Sequence, residues 1–413
     1  MVNLEWFEQV VGSLQTKPAW ATEQIQSFRD TDTAHPLSMQ FLHEATNPAS
    51  QFQLLSVLQY TSLKNWDRFQ PADRNSVRSC IWAKILGHHS TMPQYVLGKA
   101  YQVFALTWKC GWGTEDDTAK EQLFATINTN MMAAPSLPGY RAAAELLRET
   151  LGEFGSRSSA QIGASLEFHR VAHMAFERFG LSQTFDLSLN LLGKAIASLP
   201  ANAEEPVLPE QSALVESCAR LLEALLQWDF GCPDMLRVSR PGVGSSAAAT
   251  AGSGGGGGDV KDGSGLLMLP VAWAPHILQA NALAAAHTRL LHTTTEQAGA
   301  AGAKHATSAA SAVWELLVSL ASVSGAAMKA DPTAISAFVD SLTSASANAL
   351  ERCADPSATF FRPLLGWAGG QTADDTRASA MEGSVLLTQR LLGNWRLKGL
   401  TAVASFNTLL TRL

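Results

Sequence analysis

No C-x-x-C pair occurs in this sequence, and its five cysteines, Cys80, Cys110, Cys218, Cys232 and Cys353, are scattered. That pattern excludes a disulfide scaffold or a cysteine-rich zinc site and fits reduced thiols in a cytosolic or nuclear setting. Basic residues are not in excess: the net charge is −6 and the pI is near 5.9, which weighs against a general nucleic-acid binder. No apolar run is long enough to span a bilayer; the most apolar window, 266–277, is short and carries Pro270 and Pro275. The first residues, MVNLEWFEQV, lack the basic start and apolar block of a secretory signal. A soluble, intracellular protein is the expectation. Strand-type alternation is also nearly absent, which removes the sheet-based fold classes.

What is present is apolar sequence at helical spacing. Hydrophobic residues make up 46% and charged residues 16%, enough to build a core and to exclude disorder of the whole chain. A length of 413 residues suits two to three domains of about 150 residues, or one elongated array. The negative charge is confined to residues 1–240; the remainder is neutral. Between them lies a Gly/Ser-rich stretch, 240–265, read as a flexible linker or loop. The expected organisation is therefore 1–239, 240–265 and 266–413, the last part rich in Ala and less regular.

Val96, Ala100, Val103, Phe104, Thr107 and Trp108 share one helical face, with Phe104 expected in the core. Phe185, Leu189, Leu192, Ile196 and Leu199 predict a second such face, and Leu214, Cys218, Leu221, Leu222 and Leu225 a third. Pro36, Pro71, Pro93 and Pro138 mark helix starts, where a missing N–H costs nothing. Long apolar helices begin near Ala49, Pro93 and Leu137, 44 residues apart, with second helices predicted near 71–89 and 117–131. Two helices every ~40–47 residues is the period of HEAT or armadillo units. A lone pair of that kind cannot bury its apolar face, so neighbours must stack. The third pair is expected to be stretched by an insertion at 155–180. After the linker, helices are predicted at 271–292, 304–325, 332–353 and 382–413. The fold class expected is all-α: a HEAT/armadillo-like right-handed α-solenoid of stacked antiparallel helix pairs.

Motifs for chemistry are weak. Gly252, Gly254 and Gly257 satisfy G-x-G-x-x-G only inside a glycine run, and no P-loop or G-x-S-x-G is present. His169 and His173 are four apart, but Arg170 follows the first where a zincin needs Glu; they read as a polar helix face. His88 and His89 read as helix C-capping, and Glu115, Asp116 and Asp117 as a helix start. Cys80, Cys110 and Cys218 read as small hydrophobes. Trp66, Trp108, Trp112, Trp228 and Trp314 read as packing residues. No catalytic, cofactor-binding or metal-binding residue is expected, and the chain is expected not to be an enzyme.

Six segments in order resemble the importin-β superfamily of nuclear transport receptors. QFQLLSVLQYTSLKNW (51–66) is similar to a second-repeat helix and PQYVLGKAYQVFALTWKCGW (93–112) to the next repeat's first helix. SSAQIGASLEFHR (158–170) resembles an insertion of the exportin-4 and exportin-7 group. LLQWDF (225–230), LPVAWAPHIL (269–278) and WELLVSLASVSG (314–325) complete the likeness, for which exportin-4 is the best fit. Leu97 stands where the family has a basic residue, and the Gly-rich segment and Ala-rich tail are this chain's own. The resemblance implies the N-terminal part of a longer exportin that shuttles between nucleus and cytoplasm. It implies Ran-GTP, protein cargo and FG-repeat nucleoporins as partners, with no direct nucleic acid and no membrane insertion. Translation initiation factor 5A and Smad-type proteins are the cargoes implied. It names no individual Ran or cargo contact. Ran is expected on the second helices of the first repeats, about 36–45, 71–89 and 117–131.

Overall fold

A computed structural model describes residues 2–155, 165–202, 205–230, 267–277, 280–291, 295–324 and 332–354. The protein is all-α. The helices are α1 (Leu4–Gly12), α2 (Pro18–Arg29), α3 (Ala34–Glu44), α4 (Pro48–Asn65), α5 (Pro71–His88), α6 (Gln94–Gly111), α7 (Asp117–Ile127) and α8 (Leu137–Gly155). They continue with α9 (Leu166–Arg178), α10 (Gly180–Ala197), α11 (Pro209–Leu226), α12 (Ala274–Ile277), α13 (Asn281–Leu291), α14 (Thr295–Ala321) and α15 (Pro332–Ala354). The chain divides into two units, Met1–Thr184 and Phe185–Leu413.

In the first unit α6 lies between α4 and α8, while α3 packs on α4 and α5 on α6. The long helices begin at Pro48, Gln94 and Leu137, each within one residue of its predicted start. Proline sets several starts: Pro48 and Pro71 occupy the first helical turn, Pro93 is the N-cap of α6, and Pro36 and Pro138 lie in the first turns of α3 and α8. Because α6 has neighbours on several sides, burial spreads beyond the predicted stripe. Val96, Ala100, Val103, Phe104, Thr107 and Trp108 are buried, but so are Leu97, Tyr101, Ala105, Leu106 and Lys109.

The segment expected to be an insertion contains α9, which packs on α8. Ser165 caps α9 by accepting from the Phe168 N–H at 3.1 Å, satisfying one orphan donor of the first turn. On α10 the buried stripe is rotated from the predicted one: Leu181, Thr184, Phe185, Ser188, Leu191, Leu192 and Ala195 are buried, while Leu189 is half-buried. Thr184 can join this stripe because its hydroxyl donates to the Gly180 carbonyl at 2.8 Å.

In the second unit α14 packs on α11 and α13, and α13 on α15. On α11 the predicted face, Leu214, Cys218, Leu221, Leu222 and Leu225, is buried. On α14 Ala306, Ala309, Ala310 and Ala312 are buried, which lets neighbouring helices approach closely. Trp273, just before α12, stacks on Phe185 at 4.0 Å and 6°. The guanidinium of Arg289 donates to the carbonyls of Pro200, Asn202 and Glu205, pinning the connection into α11 onto α13. The all-helix expectation misses one small feature: β1 (Leu267–Met268) and β2 (Val323–Ser324) pair in parallel. Two-residue strands carry no periodicity to read. The predicted linker 240–265 and the predicted helix 382–413 lie outside the described residues.

Candidate functional site

The polar chemistry of the first unit concentrates where α5, α6, α8 and α9 meet. Arg78 on α5 stacks on the Trp108 ring at 3.9 Å and lies 5.2 Å from the Trp66 ring. Its Nη2 donates to the Thr107 carbonyl at 2.9 Å and to Glu115 Oε1 at 2.7 Å. Both side chains of that ion pair are largely buried, at 8% and 14% exposure. Burial lowers the Arg78 pKa, and Glu115 opposes the shift. The pair crosses directly over Gly111. A Cβ there would fall inside the Glu115 carboxylate and 2.8 Å from Arg78 Nη2.

Gly111→Ala is therefore expected to destabilise by about 1–3 kcal/mol, because the added methyl can be housed only by displacing the largely buried Arg78–Glu115 pair. Gly98, in the same helix, has nothing within 4 Å of such a Cβ. Gly98→Ala is expected to stabilise by about 0.5–1 kcal/mol, the ordinary helix-propensity gain. Urea denaturation of the two variants should shift in opposite directions.

Two residues before Gly111, the ammonium of Lys109 is fully buried and meets Glu153 Oε1 of α8 at 3.4 Å. It also donates to the Glu153 carbonyl. Burial lowers the Lys109 pKa, and Glu153 counteracts that. Cys110, beside it, has its thiol pushed up to about 12, first by burial and then by Glu153. Burial likewise raises Cys80 and Cys218. Thiols held protonated this way are poor nucleophiles. They behave as the small hydrophobes expected from the sequence.

His169 and His173 require a correction. They do not form a polar face; both are buried, at 1% and 2% exposure. With Ala172 and Phe176 they make the inner stripe of α9, while Leu166 and Val171 are exposed. His173 Nδ1 lies 3.3 Å from the Phe154 carbonyl, so that nitrogen carries the proton. Among the described residues no group of three or more His, Cys, Asp or Glu is placed to hold a metal.

Other expectations land as follows. α5 ends at His88, and His89 is its C-cap, with Nδ1 3.1 Å from the Leu86 carbonyl. Asp116 is the N-cap of α7 and accepts from the Ala119 N–H at 2.8 Å, and Asp117 opens the first turn. Glu115, read as part of the same start, instead belongs to the Arg78 pair. Trp66, Trp108, Trp112 and Trp228 are buried, and Trp314 is half-buried 5.2 Å from His287. Gly252, Gly254, Gly257 and Cys232 lie outside the described residues, as does the Cys353 side chain. No helix among the described residues is long and apolar enough to cross a membrane.

Among the described residues three histidines are held neutral by burial, each with its pKa lowered to about 4: His35, His169 and His287. Asp73 pulls His35 part of the way back, and Lys109 pushes His169 further down. The unfolded chain titrates them near 6.5, so between 6.5 and about 4 it binds protons that the folded chain refuses. Stability should be whole above that window and fall as pH drops through it. The urea midpoint at pH 5 is expected below that at pH 7, and His287→Asn, which cannot titrate, should flatten the slope.

The arrangement at these helix junctions clamps helices together. Compared with known proteins, the chain matches no family model and no curated protein. The likeness to nuclear transport receptors rests on the quoted segments alone. Of these, 51–66 is α4 with Trp66, 93–112 is α6 with its caps, and 165–170 opens α9, residues 158–164 lying outside the described part. Segment 225–230 closes α11, 269–277 spans the turn into α12, and 314–324 ends α14.

What remains accessible is helix surface. On α3, α5 and α7 the exposed positions include Glu44, Asp73, Asp117 and Glu121. Arg74, half-buried, and Lys120, which pairs with Asp117 at 3.1 Å, only partly offset them. An acidic face of that kind suits a basic partner.

Proposed function

We propose that this chain is the N-terminal part of a nuclear export receptor of exportin-4 type. Its helix pairs form a right-handed HEAT/armadillo-like solenoid, and its task is binding, not catalysis. The observation that supports this most is the stack in the first unit: long helices α4, α6 and α8 side by side, starting 46 and then 43 residues apart, with α5 and α7 between them in sequence. In this reading Ran-GTP lies on α3, α5 and α7, where the acidic positions are exposed. Protein cargo and Ran-GTP each favour the same curved state, so each raises the other's affinity. FG-repeat nucleoporins carry the complex through the pore, and hydrolysis on Ran releases the cargo. The protein shuttles between nucleus and cytoplasm.

A second reading is a helical-repeat scaffold without Ran-dependent transport. The alanine-lined packing of α14, unlike the leucine- and aromatic-rich first unit, favours it. Capture on immobilised Ran separates the two. The export reading expects at least tenfold preference for Ran loaded with GTP over GDP, strengthened by added cargo. Equal capture of both forms leaves the scaffold.

A further inference from the structure

One side of α4 carries two half-buried aromatic rings, Phe52 and Tyr60, eight residues apart, which places them about 12 Å apart along the helix axis. Each ring has a cation against it. The Arg29 guanidinium lies 3.9 Å from the Tyr60 centroid, and the Lys99 ammonium 5.8 Å from that of Phe52. Among the described residues neither cation has a carboxylate within ion-pair distance. Lys99 donates instead to two neutral amide oxygens, those of Gln59 and Gln102. Burial lowers its pKa, with Glu153 opposing. A half-desolvated ammonium served by amides alone is an incomplete site for negative charge.

The carboxylates near this face are already engaged. Asp30 accepts from the Tyr60 hydroxyl at 3.1 Å and pairs with Lys64 at 3.8 Å. Glu145 takes Gln94 at 3.0 Å and Arg141 at 2.8 Å, and Glu149 takes Arg148 at 3.2 Å. The strip is thus positive within a half of the chain that holds the whole −6. Beside it Tyr95 is 55% exposed, with its ring 5.9 Å from Phe52. An aromatic wall of Tyr95 and Phe52 beside the Lys99 ammonium can seat backbone and carboxylate together.

We propose that this face of α4 and α6 binds an extended acidic protein segment, with carboxylates on Arg29 and Lys99 and its backbone against Tyr95. The Lys99 ammonium bonds Gln59, the residue before Tyr60, and Arg29 lies on the Tyr60 ring, so the fitting segment carries its acidic residues close together on one face, as alternate residues of an extended chain are. A nucleic acid suits the strip less well, because its continuous charge would meet the surrounding acidic surface. The site does not depend on the export reading, since neither Ran nor cargo enters its geometry.

The test is fluorescence anisotropy with the full chain and a labelled Gly/Ser peptide carrying two glutamates separated by one residue. The same peptide with lysines and a labelled oligouridine are the comparisons. The acidic peptide should bind best and weaken as salt rises. Arg29→Gln and Lys99→Gln should each weaken it about three- to tenfold, the range of a partly exposed ion pair, while Lys99→Arg retains it. Tyr95→Glu, at an exposed position that leaves the fold intact, should abolish binding. Equal or better binding of the lysine peptide or the oligouridine overturns the proposal. So does wild-type affinity in Tyr95→Glu.

Discussion

Replacing Trp112 with alanine is expected to destabilise the protein by about 5 kcal/mol, the upper end for removing a buried aromatic residue. Trp112 caps α6 and is fully buried. Its ring lies 6.3 Å from Phe124 on α7, 5.2 Å from Phe154 on α8, 5.3 Å from Phe176 on α9 and 6.4 Å from Phe179. One side chain therefore ties four helices, and two of these pairs, with Phe124 and Phe154, are edge-on, the arrangement the ring quadrupoles favour. The cavity left by alanine opens at the junction of all four, where no single helix can move in to fill it. Trp112→Phe should be far milder. It keeps a ring in the cluster and removes an indole N–H that has no hydrogen-bond acceptor. Trp20→Ala, at a residue 43% exposed, should stay within about 0.5 kcal/mol. Urea denaturation orders the three. A Trp112→Ala midpoint close to wild type would show that this cluster does not hold the four helices together.

Glu153→Ala should cost about 3–5 kcal/mol, because it leaves the buried Lys109 ammonium without its carboxylate. The instructive comparison is the double variant Lys109→Met, Glu153→Leu. Removing both charges and replacing them with apolar side chains of similar volume avoids the desolvation penalty. Its stability is expected near or above that of the wild type, with strong coupling between the two sites in the cycle. If Glu153→Ala were harmless and the coupling negligible, the pair would be an incidental contact.

Both predictions concern residues that a pattern reading handles poorly. Lys109 follows the apolar stripe of α6 and looks like the usual basic residue of a last helical turn. Only the arrival of α8 from 44 positions along the chain turns it into a buried charge. His169 and His173 mislead for the opposite reason. Their neighbours Leu166 and Val171 carry the more hydrophobic side chains, yet α9 turns its histidines inward, where the His173 ring reaches the Phe154 carbonyl. Glu115 was readable as a helix start, and its neighbours Asp116 and Asp117 do that work; its own pairing with Arg78 spans 37 positions and left no local trace. The strip on α4 was equally hidden. Arg29, Phe52, Tyr60, Tyr95 and Lys99 come from three helices and become neighbours only when these pack.

Helix content, helix starts and the 44-residue spacing were written in the order of residues, because proline geometry and a 3.6-residue apolar period act within one or two turns of chain. Which charges are dry, which aromatics converge on Trp112, and which cations lack a carboxylate were decided by tertiary packing. Desolvation and ion pairing depend on distances between residues far apart in the chain, and those distances exist only once the helices are assembled.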